Sequence, residues 1–155
     1  LYTKHLIERG DLIQHDKDRQ VLSQIDLNKI IEKDLLTIHP DQNLDALVDL
    51  VQISTRNIFP VVNEKDELLG VITLDDIRHI MFDTEMRSKT RIRSLMHSPP
   101  AFVSSHENMQ SVMDKFERSG AWNLPVIDNG KYIGFLSKSR IFNTYRTKLI
   151  RTNKE

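Results

Sequence analysis

Cysteine is absent from the 155 residues, which excludes disulfides, thiolate metal sites and cysteine nucleophiles. No apolar run approaches the roughly eighteen residues that a membrane helix needs, and no signal-peptide pattern opens the chain. Enzyme signatures are missing too. There is no Gly-x-Ser-x-Gly, and Gly130-Lys131 runs into Tyr132 rather than the Ser or Thr of a phosphate-binding P-loop. Asp16-Lys17-Asp18 begins like a calcium loop but lacks its glycine and distal glutamate. The six histidines, His5, His15, His39, His79, His97 and His106, have no i,i+3 or i,i+4 histidine partner, so paired metal ligands are not expected. Each reads as a surface residue. Neither a catalytic residue nor a metal ligand is assigned.

What remains is ordinary for a globular domain: 39% hydrophobic and 28% charged residues, with length enough for a real core. The net charge of zero conceals a polarity. Residues 1–84 carry nine Lys/Arg against sixteen Asp/Glu, and residues 85–155 carry thirteen against six. Opposed halves favour docking of one against the other, within a chain or between chains. The basic excess lies in Arg87, Lys89, Arg91 and Arg93 and in the tail beyond Lys138. It reads as a solvated linker and frayed end, with a surface facing phosphates or lipid headgroups as the alternative; no nucleic-acid partner is assigned.

The same passage occurs twice. Leu44, Leu47, Val48 and Val51 form an apolar helical stripe, repeated sixty-five residues later by Met109, Val112, Met113 and Phe116. The same offset carries Phe59-Pro60-Val61-Val62 onto Leu124-Pro125-Val126-Ile127. One residue fewer in the next turn carries Gly70-Val71-Ile72-Thr73 onto Gly134-Phe135-Leu136-Ser137. An internal repeat fixes architecture before any single residue is interpreted.

Repeat one reads as a short helix near Leu27–Glu32, a strand at Leu35–Ile38 and a turn at Pro40. A helix from about Leu44 to Ser54 follows, capped by Asn43. A hairpin of Ile58–Val62 and Leu68–Thr73 comes next, turned by Asn63-Glu64-Lys65-Asp66, then a helix from Leu74 to about Phe82. Repeat two reads as a helix at Ile92–Met96, a strand at Ala101–Val103 and a helix from Asn108 to Ser119 stopped by Gly120. Its hairpin is Leu124–Ile127 and Tyr132–Leu136, turned by Asp128-Asn129-Gly130. A closing helix buries Ile141, Phe142, Tyr145 and Leu149. The fold class is therefore α+β: two pseudo-twofold-related β-α-β-β-α repeats, each a small sheet packed on helices. The boundaries are a connector at 1–22, repeats at 23–84 and 85–148, and a tail at 149–155. A chain opening on Leu1 rather than Met is expected to be part of something longer.

Thr73-Leu74-Asp75-Asp76 falls where a strand becomes a helix. Thr73 and Asp76 can form a capping box. The same geometry offers amides to a phosphate and a carboxylate to the two hydroxyls of a ribose. Both readings stand on local grounds. Asp75 and Asp76 point to different helix faces and do not form a carboxylate pair.

Apolar-Pro-Val-apolar, a polar turn, then Gly-apolar-apolar-Thr/Ser-x-x-Asp resembles the CBS domain, which occurs in tandem pairs. The resemblance covers about residues 27–148. Gly70-Val71-Ile72-Thr73-Leu74-Asp75-Asp76 fits the nucleotide-binding version, whereas Gly134-Phe135-Leu136-Ser137-Lys138-Ser139-Arg140 has Arg140 in place of the carboxylate. In that family each cleft mixes the two repeats. The resemblance therefore implies an adenosine-nucleotide site of Thr73 and Asp76 facing Val103, Trp122, Asn123, Leu124 and Pro125. Trp122 could wall in an adenine or simply pack at the rim. A degenerate second cleft would join Ser137 and Arg140 to Ile38, Asn57, Ile58, Phe59 and Pro60. Arg140 has donors only and cannot accept ribose hydroxyls, so one competent site at most is expected.

The front end, Leu1-Tyr2-Thr3-Lys4-His5-Leu6 through Val21-Leu22, resembles the segment joining the last membrane helix of chloride-channel (ClC) family proteins to their cytoplasmic CBS pair. This implies a non-enzymatic regulatory module on the cytoplasmic side of the membrane. Its partners would be the transport domain of the same chain and a second copy in a homodimer. No cofactor is required; ATP, ADP or AMP would be the regulatory ligand. Two other expectations remain: a structural dimerisation scaffold with empty clefts, and a regulatory insert of a soluble enzyme.

Overall fold

The computed structural model describes residues 19–154, so most of the expected connector lies outside the described residues. Short polar caps set the helix starts. Asp26 accepts the Asn28 N–H at the head of α1 (Leu27–Ile30), and Asn43 accepts the Ala46 N–H at the head of α2 (Leu44–Ile53). The hairpin of β1 (Ile58–Val62) and β2 (Leu68–Thr73) leads into α3 (Leu74–Ile77). Then follow α4 (Thr84–Lys89), α5 (Ile92–Leu95) and α6 (Met109–Ser119). The chain ends with the hairpin β3 (Asn123–Asp128) and β4 (Lys131–Ser137) and with α7 (Lys138–Lys154). Gly120 closes α6 at φ 67°, and Asn129-Gly130 turns the second hairpin at φ 54° and 80°, the left-handed conformations these residues tolerate.

Each hairpin is a two-stranded antiparallel sheet, and both shift register at the same repeat position, Val61/Val62 and Val126/Ile127. The strands expected at Leu35–Ile38 and Ala101–Val103 reduce to one parallel bridge each, Ile38 with Val61 and Val103 with Val126. Ile38 spends its N–H on Pro60 O and its carbonyl on Val62 N–H, and Val103 does the same with Pro125 and Ile127. Beyond them the chain turns away at His39-Pro40 and Ser104-Ser105, so pairing stops after one residue.

The repeats are interleaved. Leu27 and Ile30 of α1, with Ile25 and Ile31, lie in the core of repeat two beside Val112, Phe116 and Leu136. Ile92 of α5 lies in the core of repeat one beside Leu44, Phe59 and Ile72. Each short helix covers the core of the other repeat. A third cluster, Leu35, Val71 and Phe135 with Ile58 and Tyr132, fills the junction.

The interleaving brings two backbones into close approach at two glycines. Glu32 exchanges N–H···O bonds of 2.8 and 2.9 Å with Phe135, and His97 exchanges bonds of 3.0 and 2.9 Å with Val71. A Cβ at Gly134 would lie 2.5 Å from Glu32 O and 2.6 Å from Ile31 Cγ2; at Gly70 it would lie 3.0 Å from His97 O.

Three further expectations are corrected. The helix expected to reach Phe82 ends at Ile77 and continues as turns, because Asp83 caps α4, accepting the Glu85 and Met86 N–H groups. The basic run read as a solvated linker forms α4 and its exit instead. Arg87 pairs with Asp45 at 2.8 Å, Arg93 with Asp41 at 3.1 Å, and Arg91 donates to Asp41 O. The charge polarity is thus partly cancelled within the chain. Phe142, expected in the core, is 39% exposed, while Ile141 is buried and Tyr145 packs against the repeat-two core.

Gly134→Ala should lower stability by about 1–3 kcal/mol, the range for overpacking a close contact, and Gly70→Ala by less. Urea unfolding at constant m-value checks the order.

Candidate functional site

Thr73 ends β2 and caps α3. Its hydroxyl accepts the Asp76 N–H at 3.2 Å, and Asp76 Oδ2 accepts the Thr73 N–H at 2.8 Å, a complete capping box. Leu74 N–H is also taken, by Asn57 O at 2.9 Å. Few free amides therefore remain at this end, and a helix of one turn carries little dipole. The basic side chains nearby are already paired, Arg78 with Asp75 and Arg56 with Asp34 and Glu32.

Two cavities meet at Thr73. The larger, about 390 Å³, has Arg56, Asn57, Thr73, Asp75 and Arg78 among its walls. The smaller, about 200 Å³, has Val71, His97, Pro99, Trp122 and Pro125 among its walls. Ile58, Thr73 and Asn123 line both. Ile58 and Asn123 are the first residues of β1 and β3 and are repeat equivalents. The cleft thus lies on the pseudo-twofold axis with both repeats contributing.

Of the residues expected opposite Thr73, the structure brings Trp122, Asn123 and Pro125 to the cleft. Val103 and Leu124 line neither cavity. Both are fully buried in the repeat-two core, because alternate residues of a strand face opposite sides. Trp122 is 63% exposed, with Lys138 Nζ 5.1 Å from its ring centroid, a cation–π arrangement at the rim.

The expected second cleft divides. Ile38, Phe59 and Pro60 are buried in repeat one, while Asn57 and Ile58 line the Thr73 cavities instead. Ser137 accepts the Arg140 N–H, half of a capping box. Arg140 Nη1 lies 3.7 Å from Glu32 Oε1, and Arg56 Nη1 lies 2.6 Å from Glu32 Oε2. The Arg56 contact is close but not aligned as a hydrogen bond, so it acts through charge. With a side chain 13% exposed, Glu32 sits where an anionic ligand of the two arginines would sit.

Sequence reasoning missed His97, Glu32, Arg56 and Arg78. His97, read as a surface residue, places Nε2 2.7 Å from Asp76 Oδ2 across twenty-one residues of chain. The repeat itself held the signal, since Glu32 and His97 are related by the same sixty-five-residue offset. Burial alone would raise the Asp76 carboxyl. The Thr73 N–H, the His97 ring, the Thr73 hydroxyl and the His97 charge outweigh it and hold Asp76 below the ordinary carboxylate range.

Among the described residues no group of three His, Cys, Asp or Glu side chains is placed to hold a metal. No helix among them is long and apolar enough to cross a membrane.

The CBS domain family profile matches residues 26–83 and 92–146. A CBS domain protein from Streptococcus pneumoniae TIGR4 superposes with a TM-score of 0.75 at 20% identity, covering 90% of this chain and 98% of that one. The CBS domain of a bacterial CNNM/CorC family Mg2+ transporter, solved with ATP, gives 0.71 at 18% identity, covering 90% and 97%. Homoserine O-acetyltransferase of Methanococcus vannielii is 25% identical over 138 residues, 86% of this chain and 28% of that enzyme. The chain spans 21% to 46% of the first curated relatives it matches.

Two other carboxyls share the low setting of Asp76. Ser105, through its hydroxyl and its N–H, holds Asp128 down. Burial would raise Glu107, but hydrogen bonds from Lys115, Ser111 and the Ser104 N–H outweigh it. The unfolded chain takes up protons at about pH 4, before the folded carboxyls do. The stability these groups contribute is therefore complete above that pH and is lost as pH falls toward their folded values. Melting temperature should drop steeply below about pH 4, and Asp128→Asn should make that drop shallower in a thermal-melting series.

Proposed function

The chain belongs to the CBS domain family, and on that premise we propose that it is a regulatory CBS pair whose Thr73 cleft senses an adenine nucleotide. The observation that carries this reading is Thr73, which lines two joined cavities that both repeats wall; Asp76, bonded to it in the capping box, lines neither and lies behind it. Asp76 accepts ribose hydroxyls, Trp122 borders the base, and Arg78, exchanging Asp75 for the ligand, faces the phosphates. Thr73 and Asn123 complete the site, with Pro125 on its wall. Val103 and Leu124 contribute by shaping the strand ends rather than by contact. An ATP-bound relative supports the ligand class. A ligand touching both repeats favours one relative arrangement of them, and that bias passes to the parent protein.

The second cleft takes no nucleotide in this reading, because Glu32 already occupies Arg140 and Arg56. It serves as scaffold, and one ligand binds per chain. The proposed units are a connector at 1–22, repeats at 23–84 and 85–148, and a tail at 149–155. The proposed parent is a ClC-type chloride transport protein, on the resemblance of residues 1–22 alone; the module then lies at its cytoplasmic face. The transporter among the structural relatives carries Mg2+, which supports a membrane-transport parent without its ion. A curated enzyme relative supports the rival, an enzyme-attached regulatory pair.

Asp76→Ala should weaken ATP or AMP binding by about 1.5–3 kcal/mol, the range for hydrogen bonds to a charged group, measured by calorimetric titration of the folded variant. Unchanged affinity would make Asp76 a helix cap only.

Ile53 at the end of α2 and Phe82 beyond α3 are 72% and 83% exposed. Such apolar area is often covered by a partner, here proposed to be a second copy. Sedimentation at micromolar concentration should give a mass near twice 18.1 kDa, and Phe82→Ser should shift it toward the monomer.

A further inference from the structure

We propose that His97 is the gate of the nucleotide cleft, a specificity-determining side chain that the ribose must displace from Asp76. This rests on the reading of that cleft as an adenine-nucleotide site. Asp76 Oδ2 already receives two hydrogen bonds, from the Thr73 N–H at 2.8 Å and from His97 Nε2 at 2.7 Å. Each carboxylate oxygen offers about two lone-pair sites, so Oδ2 is saturated. A ribose that uses both carboxylate oxygens must first release the imidazole. One that leaves it in place can use only Oδ1.

The repeat shows why one position controls access. His97 and Glu32 are equivalents: each exchanges two backbone hydrogen bonds across the hairpin edge, with Val71 and with Phe135. Each side chain then reaches the third helical residue beyond that strand, Asp76 in one cleft and Arg140 in the other, at 2.7 and 3.7 Å. The two positions thus carry the same side-chain pairing with the acidic and basic partners exchanged. The difference lies in how firmly the occupant is held. Glu32 is nearly buried and bound by Arg56 as well. His97 is half exposed, and its other ring nitrogen has only a 3.4 Å contact to Ser98 O. An imidazole also loses its charge within the physiological range, which a carboxylate does not. His97 is therefore removable and Glu32 is not.

The charged surroundings are few. Among the described residues, His97 is the one ionisable side chain on the wall of the smaller cavity. On α3, Asp75 is paired with Arg78, and on α7, Lys138 stands over Trp122. Asp76 itself is held below the ordinary carboxylate range, so it stays ionised across the range in which imidazoles in general change charge. A protonated His97 grips Asp76 more strongly than a neutral one, and the ribose competes less well.

The test uses adenosine, which has no phosphate to titrate, on the 155-residue chain from pH 5.5 to 8.5. Wild-type affinity should rise about tenfold across this range. His97→Ala and the bulkier neutral His97→Gln should bind at pH 5.5 as tightly as wild type does at pH 8.5, with a flat profile. Circular dichroism verifies that each variant is folded, and the two differ in bulk, so a packing defect in one does not decide the result. Equal pH slopes in wild type and both variants would overturn the gate alone. So would weaker binding by both variants at every pH, which would make His97 a ligand contact. Absence of adenosine and AMP binding by all three proteins at every pH would overturn the nucleotide reading and the gate with it.

Discussion

The structure depends on two crossings, in which the segment leading into each repeat pairs with the edge of the other repeat's hairpin. Glu32 crosses beside Gly134-Phe135, and His97 crosses beside Gly70-Val71. Each crossing satisfies two backbone groups that would otherwise be left at a buried sheet edge. Each also carries a short helix into the opposite core, α1 into repeat two and α5 into repeat one. A two-stranded sheet with one covering helix is marginal alone. Exchange of the covering helices makes the halves mutually dependent, and the glycines are required because a Cβ at either would meet backbone.

The site is a by-product of that packing. Once the crossings fix the hairpins, the first residues of β1 and β3, Ile58 and Asn123, meet on the pseudo-twofold axis and Thr73 opens beside them. Whatever sits at a crossing is delivered to the helix that follows the hairpin. Here the two deliveries differ in sign, His97 to Asp76 and Glu32 to Arg140. The repeat therefore places the same side-chain pairing twice on one backbone plan, with the acidic and basic partners exchanged.

Much of this was legible in the residues, and the limits have physical causes. The hairpins were read closely because their alternation, prolines and turn residues are local signals; Asn129-Gly130 and Gly120 demand the conformations they adopt. The α2 start followed from Asn43 as a cap and the α6 end from Gly120. The exchange of α1 and α5 was not legible, since Leu27, Ile30 and Ile92 announce burial without saying against what. Nor was α4, whose six residues bury none of their side chains; it is held by Asp83 and by Arg87 with Asp45. Thr73, Trp122, Asn123 and Pro125, which line the cavities, came from the motif and the family resemblance, as did Asp76, which lines neither. His97 and Arg56 did not, because a pairing over twenty-one residues or more leaves no local pattern.

The charge asymmetry of the sequence gains a specific meaning from the same geometry. Acidic residues on and before α2, Asp41 and Asp45, take Arg93 and Arg87 of the segment that enters repeat two. Exposed pairs of this kind contribute little stability, about 0–1 kcal/mol each. Their value is positional: they tether the stretch between the repeats against repeat one, directly upstream of His97. A chain so tethered delivers His97 to Asp76 in one register. The same stretch thus carries Ile92 into the core of repeat one and His97 to Asp76, so the cleft wall and the packing between the repeats share one element.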